Sequence, residues 1–158
     1  MEPSVPTTRH RVPLVLAAAA FIAAGGYGHL REWLDTYRHV PSDAAGSFVV
    51  RIGFPVNAAI SLLVAVALVA TLFVAKRFSH YVVAGAVSFQ VASLGILVAT
   101  RMGSVLGWTE PIWTPGADQT RAVEIGALVA LAASAMIGLT ARRVDAVRVR
   151  PGRALPQG

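Results

Sequence analysis

Long uncharged stretches separated by short charge-bearing segments dominate the chain, and four of the stretches match the thickness of a lipid bilayer. A hydrocarbon core of about 30 Å takes roughly 20 helical residues to cross. Residues 12–30 make the first run, with Tyr27 and His29 as its only titratable side chains. Residues 52–75 make the second, without a charge, and 81–100 the third, uncharged but carrying Gln90. The fourth, 122–141, holds a single acid, Glu124. This pattern predicts an all-α fold, an integral membrane four-helix bundle over 12–144. It is flanked by an N-terminal arm (1–11) and a tail (145–158) whose prolines, glycines and arginines predict disorder.

The connections carry their own signals. The segment Lys76–His80 is so short that spans two and three must form an antiparallel hairpin. Turn formers mark the two longer loops: Pro41, Ser42 and Gly46 in one, Pro111, Pro115 and Gly116 in the other. The first helix is expected to run on past Leu30 towards Tyr37 and break at Pro41. Pro55 falls in the first turn of span two, where a missing N–H is tolerated, and Asp118 is expected to cap span four. Small residues recur at every fourth position, as in Ala20, Ala24 and Gly28, in Ala84, Ser88 and Ala92, and in Gly126, Ala130, Ser134 and Gly138. Such stripes let membrane helices approach closely, within one chain or in a homo-oligomer or other membrane-protein complex.

Charge adds an orientation. The 158 residues are 55% hydrophobic and 14% charged, with a formal net charge of +6. In a soluble protein that surplus would suggest nucleic acid, but here its distribution follows the topology. The N-terminal arm, the Lys76–His80 turn and the C-terminal tail hold nine bases and two acids, whereas the other two loops, with Glu124, hold five bases and six acids. The positive-inside rule therefore places both termini in the cytoplasm. That makes the chain a multi-pass protein of a bacterial plasma membrane, with membrane lipids as partners and no nucleic acid. Trp33, Trp108 and Trp113 all lie in the two outer loops, where indoles favour the headgroup region. Span one exceeds the roughly 7–15 apolar residues of a cleaved leader and reads as a retained anchor.

Candidate chemistry is sparse. There is no cysteine, hence no disulfide or thiolate site. There is no glycine-rich phosphate loop, HExxH or GxSxG, and Gly25-Gly26-Tyr27-Gly28 follows a helix rather than a strand, unlike a dinucleotide turn. Haem is not expected, because His29 and His80 fall at opposite membrane faces while His10 and His39 lie outside the spans, and no other cofactor is predicted. A divalent metal could find His29, Glu32 and His39, with Asp35 nearby, although the spacing closes no known metal motif. Glu124 is the sharper signal, since an acid inside a span is costly unless paired and marks a candidate site. Arg121, Arg101 and Arg51, His29 with Tyr27, and Asn57 all reach the same outer leaflet. Tyr27, His29, Arg51, Asn57, Arg101 and Glu124 thus form the candidate ligand-binding set. The plainer alternative is that Glu124 neutralises Arg101 or Arg121 and ties helix ends together, with Gln90 as an interhelical hydrogen bond.

Gly26-Tyr27-Gly28-His29-Leu30 closing span one, Tyr37-Arg38-His39-Val40-Pro41 after it, and the acid Glu124 opening span four resemble small four-span, loosely DoxX-like membrane proteins of high-G+C bacteria. The resemblance implies the four-span layout and no particular activity. The leading expectation is a non-enzymatic accessory or interaction subunit. The alternative is an outer-leaflet site for a small ligand, metal or quinone-type redox partner around His29 and Glu124, and the third is a proton-coupled transporter acting as an oligomer.

Overall fold

A computed structural model describes residues 7–73, 78–110 and 114–148, and the side chains of 11–73, 78–110 and 114–140 within them. The chain forms helices α1 (Thr7–Asp35), α2 (Ser47–Arg51), α3 (Gly53–Phe73), α4 (Ser79–Met102) and α5 (Pro115–Arg148), with a 3-10 turn at Tyr37–His39. There is no strand among the described residues. Four segments have the length and hydropathy of membrane spans: Arg11–Asp35, Ser47–Phe73, Ser79–Met102 and Pro115–Thr140. Large apolar side chains cover the outside of the bundle, Leu63, Phe73, Val129 and Met136 among them. A protein that directs such residues outward has lipid rather than water as its solvent, so the chain is a multi-pass, all-α membrane protein.

Several boundaries differ from the sequence reading for local reasons. The fourth helix begins at Pro115 rather than near 122, and Asp118 is not its cap. The Thr114 hydroxyl accepts from the Ala117 N–H at 3.1 Å, which makes Thr114 the N-cap and Pro115 the first helical residue, a position where proline's absent N–H has no cost. Asp118 sits in the first turn and pairs with Arg121 at 2.9 Å. The first helix extends past Leu30 as expected and ends at Asp35. The loop after it holds the extra helix α2, joined to α3 through Ile52. Pro55 lies in the first turn of α3 and leaves the Arg51 carbonyl without its usual N–H partner. The Trp33 indole takes that carbonyl at 2.9 Å, which fastens the end of α1 to the start of α3. The arm through residue 6, Lys76 and Arg77 of the inner turn, Pro111, Trp113 and the tail beyond Arg148 lie outside the described residues.

In cross-section α1 packs against α3 and α5, and α4 closes the ring by touching the same two helices. The core is narrow because its residues are small: Ala18, Ala127 and Ala86 surround Ile22, Leu68 and Leu131, all at most 1% exposed. At Gly26 helices α1 and α3 approach closely, since a Cβ there would lie 2.5 Å from the Ser61 Cβ. Van der Waals contact of this kind holds helices together where lipid is as apolar as the side chains. The small-residue stripes divide accordingly. Ala130 and Ser134 are buried and Gly126 faces the Phe21 ring, but Gly138 looks into open space. Ala84, Ser88 and Ala92 on α4 are exposed along their whole length, as are Ala20 and Ala24 on α1.

Candidate functional site

The polar residues predicted to converge do so in part, at the bundle end that carries α2. Glu124 on α5 is 2% exposed and His29 on α1 is 7% exposed. The His29 Nε2 lies 3.3 Å from the Glu124 Oε1, and the Ser93 hydroxyl on α4 donates to the same oxygen at 2.5 Å. Asn57 on α3 donates through Nδ2 to Ser93 Oγ at 2.8 Å and accepts from Ser61 at 3.2 Å. All four membrane helices therefore contribute to one chain of hydrogen bonds, and its donors point towards a single carboxylate oxygen. The other oxygen, Oε2, is buried with no hydrogen-bond partner among the described residues. A carboxyl and an imidazole in contact can hold a proton between them, which is the one piece of acid–base chemistry built into this interior.

Above this floor lies a cavity of about 220 Å³, bounded by α2, α3, α4 and the loop 103–110. His29, Asn57 and Ser93 supply its polar base, while Thr100, Arg101 and Glu110 supply polar groups at its outer end. One wall is aromatic. Phe54 meets the His29 ring edge-on at 5.0 Å and the Tyr37 ring at 4.5 Å, and Tyr37 in turn meets Trp108 at 6.1 Å. The facing wall is aliphatic, from Ile96, Leu97 and Val105. Phe48, Ile96 and Leu106 line the cavity yet are 66%, 50% and 77% exposed, so its rim is apolar and open to the outside of the bundle.

The loops that roof the cavity are tied down. The Tyr37 hydroxyl donates to Glu110 Oε2 at 2.8 Å. Burial first, and then that hydrogen bond and the charge of Glu110, push the Tyr37 phenol well above its ordinary pKa, so it stays a donor. Gly46, at φ +69°, packs directly on the Gly107–Trp108 backbone, and any Cβ there would overlap the Trp108 nitrogen. The loop turns tightly between Val105 and Trp108, whose backbones bond each other twice at 2.9 Å, with Leu106 and Gly107 at positive φ.

Of the six candidate residues, His29, Asn57 and Glu124 meet in the floor, and Arg101 borders the same cavity, where its Nη1 donates to Thr100 at 3.0 Å. Arg51 and Tyr27 go elsewhere. Arg51 donates to the Val40 carbonyl at 2.9 Å and holds the loop against α2. Tyr27 is 66% exposed on another face of α1. The metal candidates do not share a focus. His29 faces Glu124, His39 accepts from Arg38 at 2.9 Å on the exposed loop, and the Glu32 carboxylate rests on Gly116 at the start of α5. A carboxylate there is favoured by the helix dipole. No group of three metal-binding side chains occurs among the described residues.

Ser93, Tyr37 and Glu110 were not anticipated. Ser93 had a signal: Gln90, Ser93, Leu97 and Thr100 are all buried and repeat at helical spacing, so the hydroxyls follow the inward face of α4. Tyr37 and Glu110 are joined across the fold and carry no local signature.

Fold and site together define a polytopic membrane protein with a cavity that lies above a buried carboxylate and opens at the outside of the bundle. No protein-family model, curated protein sequence or solved structure matches the chain, so the DoxX-like resemblance stands on its short motifs alone.

Proposed function

We propose that this protein binds a small amphiphile of the membrane, a molecule with an oxygen-bearing ring headgroup, taken up sideways from the outer leaflet. The cavity above Glu124 carries the reading. Its volume of about 220 Å³ exceeds the roughly 150 Å³ apolar cavity that accepts a benzene ring, so a one- or two-ring headgroup fits. Its aromatic and aliphatic walls form a slot for a planar group. Polar side chains stand at both ends: Ser93 and Thr100 are seven residues apart on α4, about 10 Å along the axis. Carbonyl or hydroxyl oxygens on opposite sides of a ring would find partners at both, and quinones belong to this class. The exposed rim of Phe48, Ile96 and Leu106 suits a tail that remains in lipid. The arginine distribution supports an outer-side position for this end of the bundle in a bacterial plasma membrane.

Gly53 provides the test. It lines the cavity, and a Cβ added there meets nothing within 4 Å, so the side chain of Gly53→Leu starts into open space and should occupy part of the cavity. Protein purified gently from its native membrane should carry a small organic molecule detectable by mass spectrometry, and Gly53→Leu should lose it while folding normally. Equal retention by both proteins would refute the site.

A second reading, an accessory or interaction subunit, is favoured by the small-residue face Ala84, Ser88 and Ala92, which α4 turns away from its own bundle. That face would accept a partner helix or a second copy of the chain. For a proton-coupled transporter the interior is less suited. Ile22, Leu68, Ala86 and Leu131 pack between Glu124 and the hairpin end, so a path across the membrane would need an oligomer.

A further inference from the structure

A second concavity opens on the opposite side of α1, between α1 and the start of α5, with a volume of about 590 Å³. Its lining is graded along the helix axis. Ala24 and Val123 form the deep end, Tyr27 and Gln119 the middle, and Arg31 and Asp35 the outer end. From Ala24 to Asp35 is about 16 Å along α1, enough to pass from the edge of the hydrocarbon through the headgroup layer. The width at mid-depth comes from Gly28, which lets the groove reach Thr120 on α5.

The charges in this groove decide what fits it. Arg31 and Asp35 meet only loosely, Nε to Oδ2 at 3.5 Å, with side chains 68% and 65% exposed. The terminal guanidinium nitrogens of Arg31 have no partner among the described residues. They are free to take a phosphate in the forked geometry that arginine favours. The other carboxylate oxygen of Asp35 can take an ammonium. Glu32 is committed to the α5 terminus at Gly116. One cation and two carboxylates line the groove, so an anionic headgroup gains little, whereas a zwitterion matches both signs.

We infer that the groove between α1 and α5 binds the headgroup of a zwitterionic, amine-bearing phospholipid, with its phosphate on Arg31 and its ammonium on Asp35. This site is separate from the cavity above Glu124: the two lie on different faces of α1 and have no lining residue in common.

Native mass spectrometry of the full chain, equilibrated with equal amounts of phosphatidylethanolamine, phosphatidylcholine and phosphatidylglycerol in mild detergent, tests the inference. One phosphatidylethanolamine should be retained in preference to the other two. Arg31→Ala should reduce its retention about fivefold, the weight of one basic side chain at a membrane surface. Arg31→Lys should keep most of it, and Asp35→Asn should remove the preference over phosphatidylglycerol. Helical circular dichroism of each variant separates lost lipid from lost fold, with Arg31→Gln, which also removes the charge and should lose the lipid, as the substitute should Arg31→Ala fail to fold. Equal retention of the three lipids by the wild-type chain would overturn the inference. So would unchanged retention in Arg31→Ala, a second copy of the chain in place of the lipid, or loss of the lipid in Gly53→Leu, a substitution in the other cavity.

Discussion

Removing the His29 imidazole exposes how much of the bundle depends on the buried carboxylate. In the native chain Glu124 Oε1 accepts from the Ser93 hydroxyl at 2.5 Å and lies 3.3 Å from His29 Nε2, while Oε2 has no hydrogen-bond partner among the described residues. His29→Ala leaves the carboxylate with Ser93 alone. In water-soluble proteins a hydrogen bond to a charged group contributes about 1.5–3 kcal/mol. Between membrane helices measured pairs average about 0.6 kcal/mol and reach about 1.7, because the chain unfolded in the membrane finds other partners. Both side chains here are more than nine-tenths buried, so the upper membrane value applies, and His29→Ala should cost about 1.5–2 kcal/mol. Glu124→Gln keeps the shape and an accepting oxygen but no charge, and should cost about 1 kcal/mol. Once Gln stands at 124, the further loss of His29 strands no carboxylate. The double variant should therefore be about 1 kcal/mol more stable than the sum of the two single losses predicts. The assay is equilibrium unfolding in mixed micelles of mild and denaturing detergent, followed by helical circular dichroism. Additivity within about 0.5 kcal/mol would show that His29 and Glu124 do not act as a pair, and the proposed floor of the cavity would lose its basis.

Other substitutions probe the packing and the roof. Gly26→Ala places a methyl 2.5 Å from the Ser61 Cβ and should destabilise the bundle by about 1–3 kcal/mol, whereas Gly138→Ala meets nothing within 4 Å and should be neutral or slightly stabilising in the same unfolding assay. Gly46→Ala combines positive φ with overlap on the Trp108 backbone; it should cost at least about 1–2 kcal/mol and broaden the tryptophan emission as the roof loosens. Because the folded-state pKa of Tyr37 is raised, its contribution to stability is fully present below the unfolded value of about 10 and lost as pH rises through the folded one. In an alkaline titration at the phenolate band, one of the three tyrosine steps should lie at distinctly higher pH, and Tyr37→Phe should remove that step; an unchanged late step would refute the assignment.

The spans were legible because hydropathy over some twenty residues is a property of the lipid solvent and needs no tertiary knowledge. Their ends were less so. Thr114 and Pro115 sit in a polar stretch that hydropathy ignores, although a threonine followed by proline is itself a helix-start signal. The Glu124–His29 convergence was readable from depth alone, whereas Tyr27 was assigned by depth without regard to face. Residues two apart on a helix point to different sides, so Tyr27 and His29 could not both reach the floor. Arg51 was placed at the right level, but its partner is the Val40 carbonyl of a loop whose path no local pattern reveals. The same holds for the Tyr37–Glu110 bond, which joins residues 73 positions apart. The cavity itself depends on α2 and on the 103–110 loop, and both escaped the reading because short interfacial segments carry neither the length nor the periodicity of a span.

Titration of the detergent-purified protein with 2-methyl-1,4-naphthoquinone, read through the fluorescence of Trp108 in the cavity wall, tests ring binding most directly. The account predicts saturable quenching at micromolar ligand, absent in Trp108→Phe and abolished by Gly53→Leu. Quenching that rises linearly without saturation, or that is identical in all three proteins, would contradict it.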